Sequence, residues 1–306
     1  MSLESKFNQF DKEIDKMENG VEKELLKQYS IALKGIQGYF AELYSKHGEL
    51  TFTEMQKYNR MKALEGQLKT LIKDLSGKNA KVLKTSLAEI FQHAFYTTAF
   101  TMESEAQMLL SYSLLRPETI EAAVQNPVYG LTLNETLEKN RDALILAVKA
   151  EVTQGLILGV SYNEMSKRLK TVFEGDAQKA LRVSRTESHR LHQVGRYNSL
   201  QHAQAKGIKL KKRWISTLDS RTRDRHRDLD GQIVDLDAPF KYRGVEGLYP
   251  GEMSGGASQN INCRCSFRAV LEGDTPNVRN ARGEDGKTKV IPYTTYREWE
   301  KERLKG

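Results

Sequence analysis

RWISTLDSRTRDRHRDLDGQIV (residues 213–234), YPGEMSGGASQNIN (249–262) and CRCSFRAV (263–270) break the pattern of everything that precedes them. Up to about residue 207 the apolar residues recur at helical spacing, every three or four positions. From Ile208 the period shortens and Trp, Arg, His, Asp, Gly and Cys crowd together. Lys209–Thr217, Gln232–Leu236 and Cys265–Leu271 read as short strands, separated by Gly, Pro and Asn turns. Both cysteines of the protein, Cys263 and Cys265, lie in this stretch, as does Trp214, one of its two tryptophans. The fold class that follows is α+β: a long, mostly helical N-terminal region and then a small, short-stranded α+β module at the C-terminus.

The helical part can be read stripe by stripe. Phe7, Phe10, Ile14 and Met17, then Val21, Leu25, Tyr29 and Leu33, form one amphipathic face, with Gly35 and Gly38 as places where it loosens or ends. A second helix is predicted over Thr53–Leu75, capped by Thr53 and stopped at Ser76-Gly77. A third runs from Asn79 to Leu115 and ends at Arg116-Pro117, because proline disfavours helix at the residue before it. After a loop around Asn126-Pro127-Val128-Tyr129-Gly130, Thr132–Leu158 reads as helix through Leu133, Leu137, Leu144, Val148, Val152 and Leu156. Tyr162–Phe173 and Asp176–Ala205 follow, the latter heavily charged and closed by Gly207. His189, His192 and His202 on it read as surface or interface histidines. Domain boundaries are expected at 1–175 (helical), 176–273 (the compact module) and 274–306, a polar loop ending in a short helix docked by Tyr293, Tyr296 and Trp299.

Composition narrows the function. The chain has 306 residues, 39% hydrophobic and 29% charged, and no apolar run near the roughly 18–20 residues that a membrane span needs. Its start has acids from Glu4 onward and no apolar core of a signal peptide. Two cysteines make no disulfide framework, so a reducing compartment and a pair of thiols are expected. Residues 1–150 carry 19 Lys and Arg against 20 Asp and Glu, a net of −1, whereas residues 151–306 carry 29 against 20, a net of +9. A basic second half suits an anionic partner such as nucleic acid, or equally a solvated basic surface.

Three constellations in the module bear on chemistry. His226, Cys263 and Cys265 could supply three zinc ligands, with Asp219 or Asp230 as a fourth; alternation along a strand turns residues i and i+2 to one face, so both thiols can point together. The bland alternative is a pair of half-buried thiols packed near Trp214. Arg221, Arg223, Arg225 and Arg227 alternate with Asp219, Asp224, Asp228 and Asp230. If helical from Arg221, they hold attractive i,i+3 pairs, Arg221–Asp224 and Asp224–Arg227, and position His226; alternatively they present an arginine face to phosphates. Nucleophilic catalysis by either thiol with His226 as base needs contact and an orienting carboxylate. Gly251, Gly255 and Gly256 lack the strand–loop–helix setting of a phosphate loop.

The ordered motifs, Arg185-Thr186-Glu187, Trp214, Thr217-Leu218-Asp219-Ser220-Arg221-Thr222-Arg223, His226, Leu229-Asp230-Gly231, Tyr249-Pro250-Gly251 and Asn262-Cys263-Arg264-Cys265, resemble the head morphogenesis domain of the Mu F-like minor head proteins of phages, over about residues 180–270. Asn126-Pro127 to Gly130 and Gly159-Val160-Ser161-Tyr162 resemble the helical part of minor head proteins from phages of Gram-positive hosts. The resemblance implies a virion protein of few copies with no established enzyme activity, made in the host cytoplasm and held in the capsid interior or at the portal vertex. Its implied partners are the portal protein, scaffold and major capsid protein, and dsDNA during packaging or ejection; residues 1–175 would dock the portal or scaffold. Asp219, Arg221, Arg223, His226, Asp230, Gly231, Asn262, Cys263 and Cys265 are the signature positions, and with Arg213 they supply the phosphate-contact candidates, His226 and the cysteines being the metal candidates. Some relatives carry a toxin or enzyme domain after this module; the roughly 35 residues after Leu271 are too few for one. The alternative function is a metal- or thiol-dependent hydrolase or nuclease.

Overall fold

A computed structural model describes residues 3–48, 50–56, 59–126, 131–271, 278–282 and 288–303. Six helices come first: α1 (Leu3–His47), α2 (Phe52–Gln56), α3 (Arg60–Ala106), α4 (Pro117–Gln125), α5 (Leu133–Ile157) and α6 (Tyr162–Ala205). The remainder is β1 (Lys211–Ile215), α7 (Asp224–Leu229), β2 (Ile233–Asp235), β3 (Phe240–Tyr242), β4 (Val245–Gly247), α8 (Ala257–Asn260), β5 (Ser266–Val270), β6 (Val278–Arg282), β7 (Thr288–Pro292) and α9 (Tyr296–Arg303). The class is α+β, long helices followed by small antiparallel sheets.

The long helices run through the glycines read as breaks. In α3 the buried positions Leu64, Leu68, Ile72, Leu75, Asn79, Leu83, Leu87 and Ile90 keep one phase across Ser76-Gly77. A mid-helix glycine costs about 1 kcal/mol relative to alanine, less than burying one leucine yields. The same continuity carries α1 past Gly35 and Gly38 and α6 past Gly175. Conversely, α3 stops at Ala106, short of Leu115: Gln107 takes φ +52° and the Leu110 N–H turns to Glu103 Oε1 at 2.8 Å. Thr132 caps α5 in a reciprocal capping box with Glu135.

Contacts divide the chain into two compact units, each assembled from separated segments: Met1–Glu18, Leu87–Gly130 and Arg185–Gly306 in the first, Asn19–Ser86 and Leu131–Ser184 in the second. The second is all-helical, its core made by Tyr29, Ile36 and Phe40, Leu64, Leu68 and Ile72, Leu144, Val148 and Val152, and Leu169 and Phe173. Within it Tyr29 donates its hydroxyl to Asp176 Oδ2 at 2.6 Å.

The first unit holds the short strands. Its three-stranded sheet has the order β2-β1-β5, antiparallel throughout, with Trp214 opposite Phe267. Two further hairpins, β3-β4 and β6-β7, stand where the sequence reads as turns or polar tail. Trp214, Phe240, Phe267, Leu229, Leu236, Tyr197 and Leu200 form the core, joined by Leu3 and Phe7 from the start of α1. Gly195 lies where α6 passes α3: a Cβ there would fall 2.6 Å from the Phe91 carbonyl oxygen.

The first turns of α1 are fastened by charge as well as by packing. Glu4, Phe7, Asn8 and Asp11 share one helix face and meet three buried arginines. Arg268 donates to Glu4 Oε1 at 3.3 Å, to Asn8 Oδ1 at 3.1 Å and to Asp11 Oδ2. Arg196 donates to Asp11 Oδ1 at 2.5 Å and to the Phe267 carbonyl at 3.0 Å, and Arg213 reaches Glu4 Oε2 at 3.5 Å. The Arg196 and Arg268 guanidiniums sit 4.9 and 5.6 Å from the Phe7 ring centroid. His192 is buried here rather than exposed; burial and Arg196 push its pKa down to about 4, and its Nε2 lies 2.9 Å from Arg196 Nη2 and 3.2 Å from Asp11 Oδ1.

Burial raises the Asp11 carboxyl, but Arg268 and Arg196 outweigh it and hold the group well below the ordinary aspartate range. Its contribution to stability is therefore complete above that ordinary range and is lost as pH falls through the depressed folded-state value. Asp11→Asn leaves the buried Arg196 guanidinium without its carboxylate and weakens the hold on Arg268, which keeps Glu4; it should cost the first unit about 3–5 kcal/mol, measured by urea unfolding followed through buried Trp214. The variant's stability should also respond less to acid than the parent's; equal acid sensitivity would contradict this assignment.

Candidate functional site

The module's chemistry gathers where β1 leaves the sheet. After Ile215 the chain turns through Thr217–Arg223, forms the short α7, and returns at Asp230-Gly231. Gly231, at φ +81°, lets its N–H bond the Trp214 carbonyl at 3.0 Å, while the Trp214 N–H bonds Gln232 O at 2.9 Å. Ser216 joins the segments: its hydroxyl accepts from Trp214 Nε1 at 3.0 Å and donates to the His226 carbonyl.

His226 thereby projects from α7 against Trp214, ring edge to ring face, 5.3 Å between centroids. Its Nδ1 lies 3.6 Å from Cys263 Sγ and 3.5 Å from Cys265 Sγ, and its own side chain is 1% exposed. The sequence expects both thiols on one side of the strand approach, and the structure brings them together with the imidazole. Both cysteines are free and buried. A hydrogen bond from Cys265 holds the Cys263 thiol below its ordinary value, and burial, followed by that bond and the neighbouring charge, pushes Cys265 well above.

Neither aspartate expected as a fourth ligand is at hand. Asp219 is gripped by Arg264 through both carboxylate oxygens, and also accepts from the Arg221 N–H at 3.0 Å. Asp230 accepts from the Ser216 N–H at 2.6 Å, the Tyr296 N–H at 2.5 Å and Arg279 Nη1 at 3.0 Å. Arg279 in turn donates to the Ser216 carbonyl at 2.6 Å and to Thr294 O. Asp230 and Arg279 thus tie β1, β6 and α9 into one knot. Arg279, from a stretch that reads as polar tail, escapes the sequence reading; nothing local marks an arginine whose partner lies 49 residues away.

The arginine ladder divides. Because α7 begins at Asp224, the expected Arg221–Asp224 helix pair does not form: Arg221 is exposed beside Asp219, at 3.6 Å. Asp224–Arg227 does form, at 3.2 Å. Arg227 also caps the turn by donating to Thr222 O and Ser220 O, each at 2.7 Å, and lies over the Tyr296 ring. Arg223 donates to the Ile261 carbonyl. Arg213, grouped with the phosphate contacts by the sequence, is only 3% exposed and committed to Glu4, so it has no face to offer a phosphate. Lys212 beside it is buried over the Tyr197 and Phe240 rings. Asn262, at φ +52°, donates its N–H to Thr186 Oγ1 at 3.3 Å. Asn260, not singled out by the sequence, clamps the turn before it through Met253 N and O at 2.9 and 2.7 Å. A cavity of about 660 Å³ lies elsewhere in this unit, lined by Arg190, Glu246, Glu252 and Asn260 among others, and not by the thiols or His226.

Residues 147–268 match the phage Mu protein F-like family. Over 304 residues the chain is 36% identical to minor head protein GP7 of Bacillus phage SPP1, covering 96% of both chains. The chain belongs to the Mu F-like family of phage minor head proteins. It is also 29% identical, over 98% of its own length, to the NAD(+)–arginine ADP-ribosyltransferase EFV of Enterococcus faecalis, of which it spans 62%. An uncharacterized protein of Haemophilus influenzae is 24% identical over 148 residues, 48% of this chain and 30% of that one. No solved structure matches.

In this member of the family most signature positions hold the module together. Asp219, Arg223, Asp230, Gly231 and Asn262 bond backbone or counter-charge inside it. The motif around Pro127–Gly130 lies outside the described residues. Asp230→Asn keeps the shape but removes the charge facing buried Arg279; it should destabilise the module by about 3–5 kcal/mol and free α9, seen as faster amide exchange at Tyr296–Glu300. Unchanged exchange there would refute the knot.

Proposed function

We propose that the chain is a minor head protein that acts in head morphogenesis, seated at the portal vertex or in the capsid interior after synthesis in the host cytoplasm. What carries the reading is the 36% identity with minor head protein GP7 across nearly the whole of both chains. The portal protein is its first partner, with scaffold and major capsid protein as further neighbours during assembly.

The segment between α3 and α4 supports a docking role. It is irregular yet firmly held: Tyr112 donates its hydroxyl to Ser199 O at 2.8 Å, the Leu115 N–H bonds Tyr96 Oη at 2.8 Å, and His202 Nε2 meets Leu110 O at 2.8 Å. Leu110 is buried, while Leu109 and Leu114 stand 84% and 85% exposed, with Met108 and Phe100 also exposed in this unit. Leucines projected by a pinned loop lose little conformational freedom when covered, which favours an anchoring contact.

Contact with packaged DNA is supported by the basic second half, though by fewer side chains than the sequence reading expects. Arg196, Arg213, Arg268 and Arg279 spend their charge on buried carboxylates. Arg221 and Arg225, on the α7 turn, and Lys206 and Lys209 after α6 are exposed. A non-catalytic role is supported by the burial of His226, Cys263 and Cys265 and by Asp219 and Asp230 being engaged by arginines.

Leu109→Asp/Leu114→Asp should fold normally by circular dichroism but enter heads about tenfold less or worse, since losing an apolar anchor costs upwards of 1.4 kcal/mol; normal incorporation would remove the loop from the docking surface. Duplex DNA should bind with affinity falling steeply as salt rises, and Arg221→Ala/Arg225→Ala should lower the log–log slope by about 1–2. A salt-independent response would overturn phosphate contact.

A further inference from the structure

We propose that His226, Cys263 and Cys265 bind a zinc ion that fastens α7 to the segment leading into β5. The spacing of the donor atoms is the first argument. Zinc holds sulfur at about 2.3 Å and imidazole nitrogen at about 2.0–2.1 Å, so a tetrahedral angle separates nitrogen from sulfur by roughly 3.5–3.6 Å. The distances from His226 Nδ1 to the two sulfurs are 3.6 and 3.5 Å. Hydrogen bonding explains this symmetry poorly, because a neutral imidazole nitrogen has one lone pair or one proton and serves one sulfur, not two.

Charge is the second argument. Two thiolates, a neutral imidazole and Zn²⁺ sum to zero, the condition under which ionised groups tolerate full burial. All three residues are buried. Binding releases the two thiol protons to solvent and leaves no other change in bonding. Soft sulfur donors select zinc over magnesium or calcium. Among the described residues no fourth His, Cys, Asp or Glu joins the cluster, and Asp219 and Asp230 are held by Arg264 and Arg279. The fourth position therefore falls to a small exogenous ligand, water in the simplest case.

The consequence is structural. His226 and Cys263 are 37 residues apart, so the ion closes a long loop that contains β2, β3, β4 and α8. It acts where a small unit with short strands gains most from a crosslink.

The test uses the full chain, purified under reducing conditions, stripped with chelator and titrated with cobalt(II). The expected result is stoichiometric binding with the visible bands of tetrahedral, thiolate-ligated cobalt, bleached by zinc, together with a higher thermal midpoint and protection of both thiols from alkylation. Cys263→Ser and Cys265→Ser should each abolish the bands. His226→Cys, which keeps a donor in place, should retain them with a shifted maximum, so loss of folding in the serine variants would not decide the matter. Absence of bands in the folded parent, octahedral bands, or alkylation rates indifferent to zinc would each overturn the proposal.

Discussion

The buried carboxylates at the start of α1 decide how the first unit is put together. Glu4 and Asp11 are the counter-charges of Arg268, Arg196 and Arg213, and those arginines come from β5, α6 and β1. Without the carboxylates, three guanidiniums would be buried unpaired in the middle of the module, which no amount of neighbouring apolar packing offsets. The family match, residues 147–268, thus describes a fold whose electrostatic closure is supplied by residues near the N-terminus. The first eighteen residues and the compact module form one unit, and a truncation that removes α1 removes part of the module's interior.

A second network follows from the first. Just beyond β1 the chain is organised by Asp230, whose carboxylate gathers Ser216, Tyr296 and Arg279. Ser216 is bonded both to Asp230 and to the backbone of His226, so the position of the imidazole depends on the same knot. The Asp219–Arg264 pair does the equivalent for the thiols, since Arg264 separates Cys263 from Cys265. The residues that look in sequence like a reactive constellation are therefore mostly the frame, and the imidazole and two thiols are what the frame presents.

What the sequence discloses is local. Apolar phase identified the helices, and strand-like runs identified β1, β2 and β5, because periodicity and burial face are properties of neighbouring residues. The Cys-x-Cys spacing revealed that both sulfurs could point together. Helix ends failed wherever a breaker residue sat within an unbroken stripe: Gly77 is exposed, loses no contact, and interrupts nothing. The β6-β7 hairpin failed for another reason, since Arg279 is polar by type and buried by partnership. Arg213 was misplaced on the same ground. Residue type alone does not distinguish an arginine that meets a phosphate from one that meets a carboxylate two hundred residues away.

That distinction bears on what the net charge of a basic chain can say about an anionic partner. Net charge counts every arginine equally, but a guanidinium hydrogen-bonded to a buried carboxylate contributes little field outside the protein. Of the arginines in the motif-rich stretch, Arg213 and Arg268 are internal, whereas Arg221 before α7 and Arg225 in its first turn are exposed. The same segment then carries two kinds of arginine with opposite design: one buried to specify the fold, one exposed and free of that duty. Substitution of the first kind acts through stability and substitution of the second through ionic contacts. Loss of head assembly in an arginine variant consequently speaks to DNA only when the altered residue belongs to the exposed set.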